Sequence, residues 1–306
     1  MPESAQSEST QMIDSMTRDL RGMQLWPLAA SFNVEGWLGN FVDEDRVFAN
    51  SLLESFVYLG KPLVNAHLVG AFQQISVDVG GNFAQLSTAI DIWKSFCSSA
   101  LFVPVEGETS GPAESGNVLG RLVRDTLRIS ENNIQKAREA LLRIKRGERS
   151  VVVFVDDFSG TGLQFREFWR RSFILADNTT YSFQQADIES KIRSFFVPLV
   201  MTARAHVRIT QDAPTVAIRP AHTIGVEYYA SDPNSRLWPV GRTQDGVGFL
   251  RRQAQRLGLE MNNDRVVFGF GEMGLALAFD HGYPDATLPI FTWRSDGFVP
   301  LLERGT

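Results

Sequence analysis

Residues Ser150 to Phe165, reading SVVVFVDDFSGTGLQF, constrain the fold of this chain more than any other stretch. Val151 to Val155 is a run of five apolar, mostly β-branched residues, the composition of a strand buried on both faces, as in a parallel sheet. Two adjacent carboxylates, Asp156 and Asp157, end the run, and the small polar segment Ser159-Gly160-Thr161-Gly162 follows. Phe165, Phe168, Trp169 and Phe173 then recur in an amphipathic pattern, so the order is strand, loop, helix. A loop that opens a helix presents backbone N–H groups without intrahelical partners and the positive end of the helix dipole, which together attract an anion. Gly160 and Gly162 let the backbone close around that anion, and the hydroxyls of Ser159 and Thr161 add donors. A phosphate held there with two carboxylates at its lip points to a phosphorylated sugar carrying magnesium.

The segment VFVDDFSGTG resembles the phosphoribosyl-pyrophosphate (PRPP) motif of type I phosphoribosyltransferases: a hydrophobic strand, two acidic residues, two or three variable residues, then Thr-Gly. The resemblance implies an α/β fold, a type I phosphoribosyltransferase-like parallel sheet flanked by helices. It implies that Asp156 and Asp157 sit by the ribose hydroxyls, directly or through metal-bound water, as the catalytic and magnesium-binding pair. Ser159, Gly160, Thr161, Gly162 and Gln164 would then wrap the 5′-phosphate. Two departures bear on the chemistry. The family often has Thr where this chain has Gln164, and some members carry an acidic base where it has Gly160. Competing motifs fit poorly. No Lys-Ser/Thr follows the glycines, which excludes a P-loop, and Phe165 stands where a dinucleotide fingerprint needs its third glycine. From the residues alone, a strand ending in helix-capping aspartates with a glycine turn stays open.

Composition narrows the class. A chain of 306 residues with 43% hydrophobic and 21% charged residues can bury a large core in one large domain or in a domain plus a cap. A net charge of −5 argues against a general nucleic-acid or membrane-surface binder. Cys97 is the only cysteine, which excludes a disulfide framework and a cysteine metal cluster. The four histidines are scattered without zinc spacing, and no Gly-x-Ser-x-Gly elbow supports a serine hydrolase. Met1 to Gln11 is polar without an apolar core, and the longest apolar run, Phe195 to Met201, is too short to span a bilayer; the expected compartment is the cytoplasm, with no membrane partner.

Residues 1–98 read as a helical N-terminal portion. Met1 to Thr10, rich in Ser, Glu and Gln, has the composition of a disordered segment, and Met12 to about Leu28 that of a short helix. Asp43-Glu44-Asp45 suit a helix N-terminus, with Phe48, Leu52, Phe56 and Val57 as its apolar stripe. Pro62 opens a helix to about Ile75, and another runs from about Phe83 to Ser98. Residues 99–306 read as the phosphoribosyltransferase-like α/β domain.

Within that domain, Leu101 to Val105 is the expected first core strand. It feeds a loop, 106 to 117, rich in Gly and Ser, before a helix from about Val118. In the resembled family this loop grips pyrophosphate, a role implied here for the backbone at Ser110, Gly111, Ser115 and Gly116. The loop departs from that role in holding Glu106, Glu108 and Glu114 and no Lys or Arg, so a bound diphosphate needs magnesium between the charges. Ser130 to about Arg146 reads as a helix, Ile188 to Phe195 as another, and Phe196 to Met201 as a core strand. Arg204 lies just past that strand's end, where α/β sites collect ligands, and is a candidate for the base or the phosphates. Residues 207–240, punctuated by Pro214, Pro220, Pro233 and Pro239, read as an irregular insert and the expected seat of substrate choice. Phe249 to Leu257 reads as a basic helix, Val266 to Phe270 as a buried strand, and Leu288 to Trp293 as a strand. The resemblance assigns Glu272, after that late strand, to the metal.

The tail GYPDATLPIFTW, Gly282 to Trp293, together with VFVDDFSGTG and the length, is similar to a bacterial group of phosphoribosyltransferase-like proteins (PRTase-CE-like) found in conflict and phage-defence systems. Two functions are thereby expected. One is an enzyme that binds PRPP, or another phosphorylated ribose or nucleotide, with magnesium and acts at the anomeric carbon, as a defence effector with a partner protein. The other is a binding module that keeps the cradle and has lost transfer. The acceptor is not readable from the residues.

Overall fold

The computed structural model describes residues 3–28, 32–80, 85–107 and 115–303. The chain gathers into two units, one of Met1–Val64 with Gly225–Thr306, the other of Asn65–Ile224. The sequence reading divides the chain at residue 98, where helical stripes give way to apolar strands. The units divide by packing instead: the helices after Asn65 go with the sheet because their aromatic rings stack on it, Phe72 at 5.5 Å from Phe102 and Phe96 at 5.6 Å from Phe195.

The chain begins with α1 (Glu3–Gly22), α2 (Val34–Leu38), α3 (Asp43–Glu54) and β1 (Val57–Leu59). The helix α1 thus starts inside the segment whose composition marks it as disordered, and stops at Gly22 rather than near Leu28. Asp43, Glu44 and Asp45 fill the first turn of α3, as their charge favours. Next come α4 (Lys61–Gly80), α5 (Leu86–Ser99), β2 (Leu101–Pro104), α6 (Ser115–Leu127), α7 (Ala137–Lys145), β3 (Val151–Ser159) and α8 (Leu163–Arg170). A short hairpin of β4 (Phe173–Ile174) and β5 (Thr180–Tyr181) leads to α9 (Phe183–Ile188), β6 (Arg193–Thr202), α10 (Ala203–Asp212), β7 (Ala217–Ile218) and β8 (His222–Ile224). The chain closes with α11 (Thr243–Arg256), α12 (Asp264–Phe268) and β9 (Leu277–Phe279).

Several elements differ from the sequence reading. The helix expected over Ser130 to Arg146 opens only at Ala137, because Ile134 is taken into a parallel bridge with Phe102. The helix expected over Ile188 to Phe195 ends where it was to begin: a capping box of Ser182 and Gln185 starts it at Phe183, and β6 claims Arg193 onward. Val266 to Phe270 is not a strand. Asn263 caps it by accepting from the Arg265 N–H at 3.2 Å, and it is helical as α12. Leu288 to Trp293 carries a 3₁₀ turn at Pro289–Phe291 instead of a strand. The segment read as an irregular insert is helical through Asp212 and then supplies two edge strands.

The sheet of the 65–224 unit is wholly parallel, ordered β2-β3-β6-β7, with β8 also on β6. Its central pair runs in register from Val151 opposite Arg193 to Ser159 opposite Met201. One face carries Val152, Phe154 and Phe196 against α7, α8, α9 and α10; Phe72, Trp93 and Phe96 of α4 and α5 stack over Phe102 and Phe195. Phe154 is the hub of the first layer, with ring centroids 5.5, 6.1, 5.8 and 4.8 Å from Phe165, Phe168, Trp169 and Phe183. At the sheet's edge Arg219 grips Asp78 with two hydrogen bonds, of 2.7 and 2.6 Å.

The other unit pairs β1 with β9 in parallel, Val57 opposite Leu277, over an aromatic core that includes Trp37, Phe41, Phe48, Phe249 and Phe291. Buried Asn40 clamps its two chain segments, donating to the carbonyls of Trp37 and Val299 and accepting from the Val299 N–H at 2.9 Å. The arginines of α11 are consumed here: Arg251 pairs with Asp264, Arg252 with Asp45, and Arg256 donates to the Asn40 carbonyl. Among the described residues no helix is long and apolar enough to cross a membrane.

Candidate functional site

β3 runs four residues beyond the apolar stretch, because β6 continues the ladder past Asp156, opposite Pro198, to Ser159, opposite Met201. The two aspartates therefore belong to the strand, not to the loop. Successive strand side chains alternate between faces, so the pair is split. Asp156 shares the face of Phe154 and is buried, at 2% exposure. Asp157 lies on the opposite face and is half-exposed.

That split sets their electrostatics. Burial pushes the Asp156 carboxyl well above the usual carboxylate range, and the charge of Asp157 pushes it further; the Asp157 N–H, donating to Asp156 Oδ1 at 3.0 Å, pulls the other way. Burial dominates, so Asp156 keeps its proton through pH values at which an exposed aspartate has lost it. Folding then favours protonated Asp156. This stability is fully present below the ordinary aspartate pKa and is lost as pH rises above it towards the native value. Asp156→Asn, which cannot ionise, should raise the melting temperature at pH 8 in metal-free buffer and leave it nearly unchanged at pH 4. Equal shifts at the two pH values would refute the assignment.

Beyond Ser159 the chain turns within three residues into α8. The Gly160 carbonyl faces inward and accepts the Thr202 hydroxyl, which also caps α10 by accepting from the Ala205 N–H at 3.0 Å. Gly162 sits at φ +73°, a left-handed conformation that glycine adopts without cost. A Cβ there would lie 3.1 Å from the Ala205 carbonyl oxygen and 3.2 Å from Ile209 Cγ1, so α10 would have to give by a few tenths of an ångström to admit one. Thr161 Oγ1 accepts from the Leu163 N–H at 3.3 Å, keeping its own proton for another acceptor. Ser159 and Thr161 are buried, whereas Gln164 is exposed in the first turn of α8.

The N-termini of α8 and α10 are thus tied together by Thr202 at the carboxyl edge of a parallel sheet, where open α/β folds bind ligands. Thr202, whose bridging role the sequence reading missed, carried a signal: a threonine directly before an amphipathic run is a helix cap. Arg204 falls in the first turn of α10, exposed. Ser110 and Gly111 lie outside the described residues. Glu272 belongs to the other unit, in a 3₁₀ turn at φ +60° that follows a helix, so the late core strand that linked it to the metal is absent there. Among the described residues no group of three or more His, Cys, Asp and Glu is arranged to hold a metal ion. The half-exposed carboxyl of Asp157 is a hard oxygen donor that suits magnesium if the ligand's own oxygens complete the shell, whereas Asp156, expected from the sequence to share the ion, is buried on the opposite strand face and keeps its proton.

A parallel sheet flanked by helices, with an acidic strand end and a glycine turn at its carboxyl edge, defines a phosphoribosyltransferase-like α/β protein. The chain belongs to the PRTase-CE family, whose model matches residues 34–304. No curated protein matches it. Among solved structures it is similar to the orotate phosphoribosyltransferase from Aeropyrum pernix, at 14% identity over 60% of this chain and 78% of that one, with a TM-score of 0.27.

Proposed function

We propose that the chain binds PRPP, or a closely related ribose phosphate, with magnesium and transfers or cleaves at the anomeric carbon. The observation that carries this reading is the placing of Asp157, half-exposed at the end of β3, beside a turn whose backbone is fixed by Gly162 and by the Thr202 link to Gly160. The 5′-phosphate rests on the amides that open α8, with the hydroxyls of Ser159 and Thr161 as further donors and Gln164 at the rim. The ribose diol meets Asp157. Asp156, buried and carrying its proton, holds Asp157 in place from behind. Asp157 and the substrate's own oxygens would hold magnesium, which when bound would neutralise diphosphate charge and make pyrophosphate a better leaving group. The bond from the anomeric carbon to the diphosphate oxygen breaks with its electron pair leaving on pyrophosphate, and the acceptor's lone pair forms the new bond. The Asp157 carboxylate faces the positive charge that develops on the ring, so positioning and charge stabilisation carry the reaction without a dedicated base. Arg204, Ser110 and Gly111 belong to this reading as contacts to the diphosphate or the acceptor.

A second reading, a PRPP or nucleotide sensor without transfer, is supported by one specific feature: the segment from Glu106 to Asn117 has three carboxylates and no cation to neutralise a leaving diphosphate. Titration calorimetry with PRPP and magnesium, run beside an assay for released pyrophosphate, separates the two. Binding with release, to water or to an acceptor, supports the enzyme; binding without release under any acceptor supports the sensor; no binding of PRPP or ribose 5-phosphate overturns both. The resemblance to conflict-system proteins supports a cytoplasmic role in antiviral defence with a partner protein.

A further inference from the structure

The 65–224 unit holds a cleft of about 1240 Å³ between α6, the start of α7 and the β4 hairpin. Asp156, Asp157 and the residues of the glycine turn are not among its lining, though Glu106, which opens the loop assigned to pyrophosphate, is. Arg121, Arg124, Lys136, Arg138 and Arg171 face it, five cations against the three carboxylates Glu106, Glu131 and Glu139, in a chain whose net charge is −5. Some of these cations already have work. Arg124 lies 2.8 Å from Asp125 and 3.9 Å from Glu131, and Arg171 donates to the Gly107 carbonyl at 2.8 Å. Arg121, Lys136 and Arg138 are exposed and make no ion pair with a described residue. Lys136 and Arg138 also crowd the N-terminal end of α7, where the helix dipole disfavours cations and Glu139 in the same turn offsets only part of their charge. No side chain caps that end. An arrangement unfavourable in the empty protein becomes favourable once an anion enters.

The cleft's lining separates candidate anions. A bare polyanion gains nothing from Glu131 and Glu139, which only accept hydrogen bonds and repel it. A nucleotide uses both kinds of group: phosphates on the guanidinium and ammonium groups, ribose hydroxyls and base amino groups on the carboxylates and Gln135. The volume exceeds that of ordinary small-ligand pockets, about 300–1,000 Å³, so a mononucleotide enters with water around it. We propose that this cleft is a nucleotide-binding site, separate from the ribose-phosphate site at the end of β3, for a nucleoside di- or triphosphate.

Titration calorimetry on the full chain tests this with ADP, ATP, GDP, GTP, CTP and UTP as probes, at low and at physiological salt. Binding by at least one of them should weaken about tenfold or more in the triple variant Arg121→Gln, Lys136→Gln, Arg138→Gln, since each lost charge-assisted hydrogen bond is worth about a factor of ten. The same variant should bind PRPP or ribose 5-phosphate as the parent does and melt at the same temperature or slightly above it, because its three side chains are exposed and two of them oppose the α7 dipole. Arg138→Glu alone should weaken the nucleotide further than Arg138→Gln. The proposal is overturned if no nucleotide binds, if the triple variant binds as tightly as the parent, or if nucleotide binding is lost instead on Asp157→Asn. A single-stranded oligonucleotide that binds where mononucleotides do not overturns it as well.

Discussion

Asp157→Asn should reduce pyrophosphate release by about 10²–10³-fold, the loss seen when one group facing developing charge is removed from a preorganised site, while the fold is retained. The side chain is half-exposed, and asparagine matches aspartate in shape. The substitution removes only the negative charge opposite the ring. Binding of ribose 5-phosphate, which rests on the amides of the turn, should weaken far less. Steady-state kinetics with PRPP and magnesium, paired with calorimetry on ribose 5-phosphate, reads both. Unchanged release would remove Asp157 from the chemistry, and equal loss of both would make it a binding residue only.

Phe154→Ala should lower the unfolding free energy by about 3–5 kcal/mol, the range for an aromatic residue deleted from a packed core. Phe154 is fully buried, and its ring meets four aromatic neighbours from α8 and α9. It stands two residues before Asp156 on the same strand face, so the cavity opens directly beneath the site. Urea unfolding followed by tryptophan fluorescence measures the change. A loss under 1 kcal/mol would show that the aromatic layer repacks, and that the glycine turn does not depend on it.

How far the residues alone lead depends on where each element's stabilising partner lies. β3 and the turn were readable because the apolar run, the aspartates and the glycines are contiguous. Asp43 to Asp45 marked α3 for the same local reason. The division of labour between Asp156 and Asp157 was not readable, since it follows from β6 carrying the ladder past Val155, a fact of pairing rather than of composition. β1 went unseen because three residues have no signal until Leu277 to Phe279 lie beside them. Val266 to Phe270 looked like a strand because short apolar runs suit either state; Asn263 was the available clue, and capping outweighed β-branching. Ser182 and Gln185 likewise spelled out a helix start that the apolar pattern after Ile188 obscured.

The unit built from both ends of the chain has a consequence for biosynthesis. As the nascent chain leaves the ribosome, residues 65–224 are complete and able to collapse while Val57 still lacks its strand partner, Leu277, 220 positions downstream. Asn40 likewise waits for Val299. Trp37 and Phe41 therefore lack their ring partners Phe291, Phe249 and Phe298 until those residues have been made, whereas Trp26 already has Phe32 and Phe56 beside it in the chain.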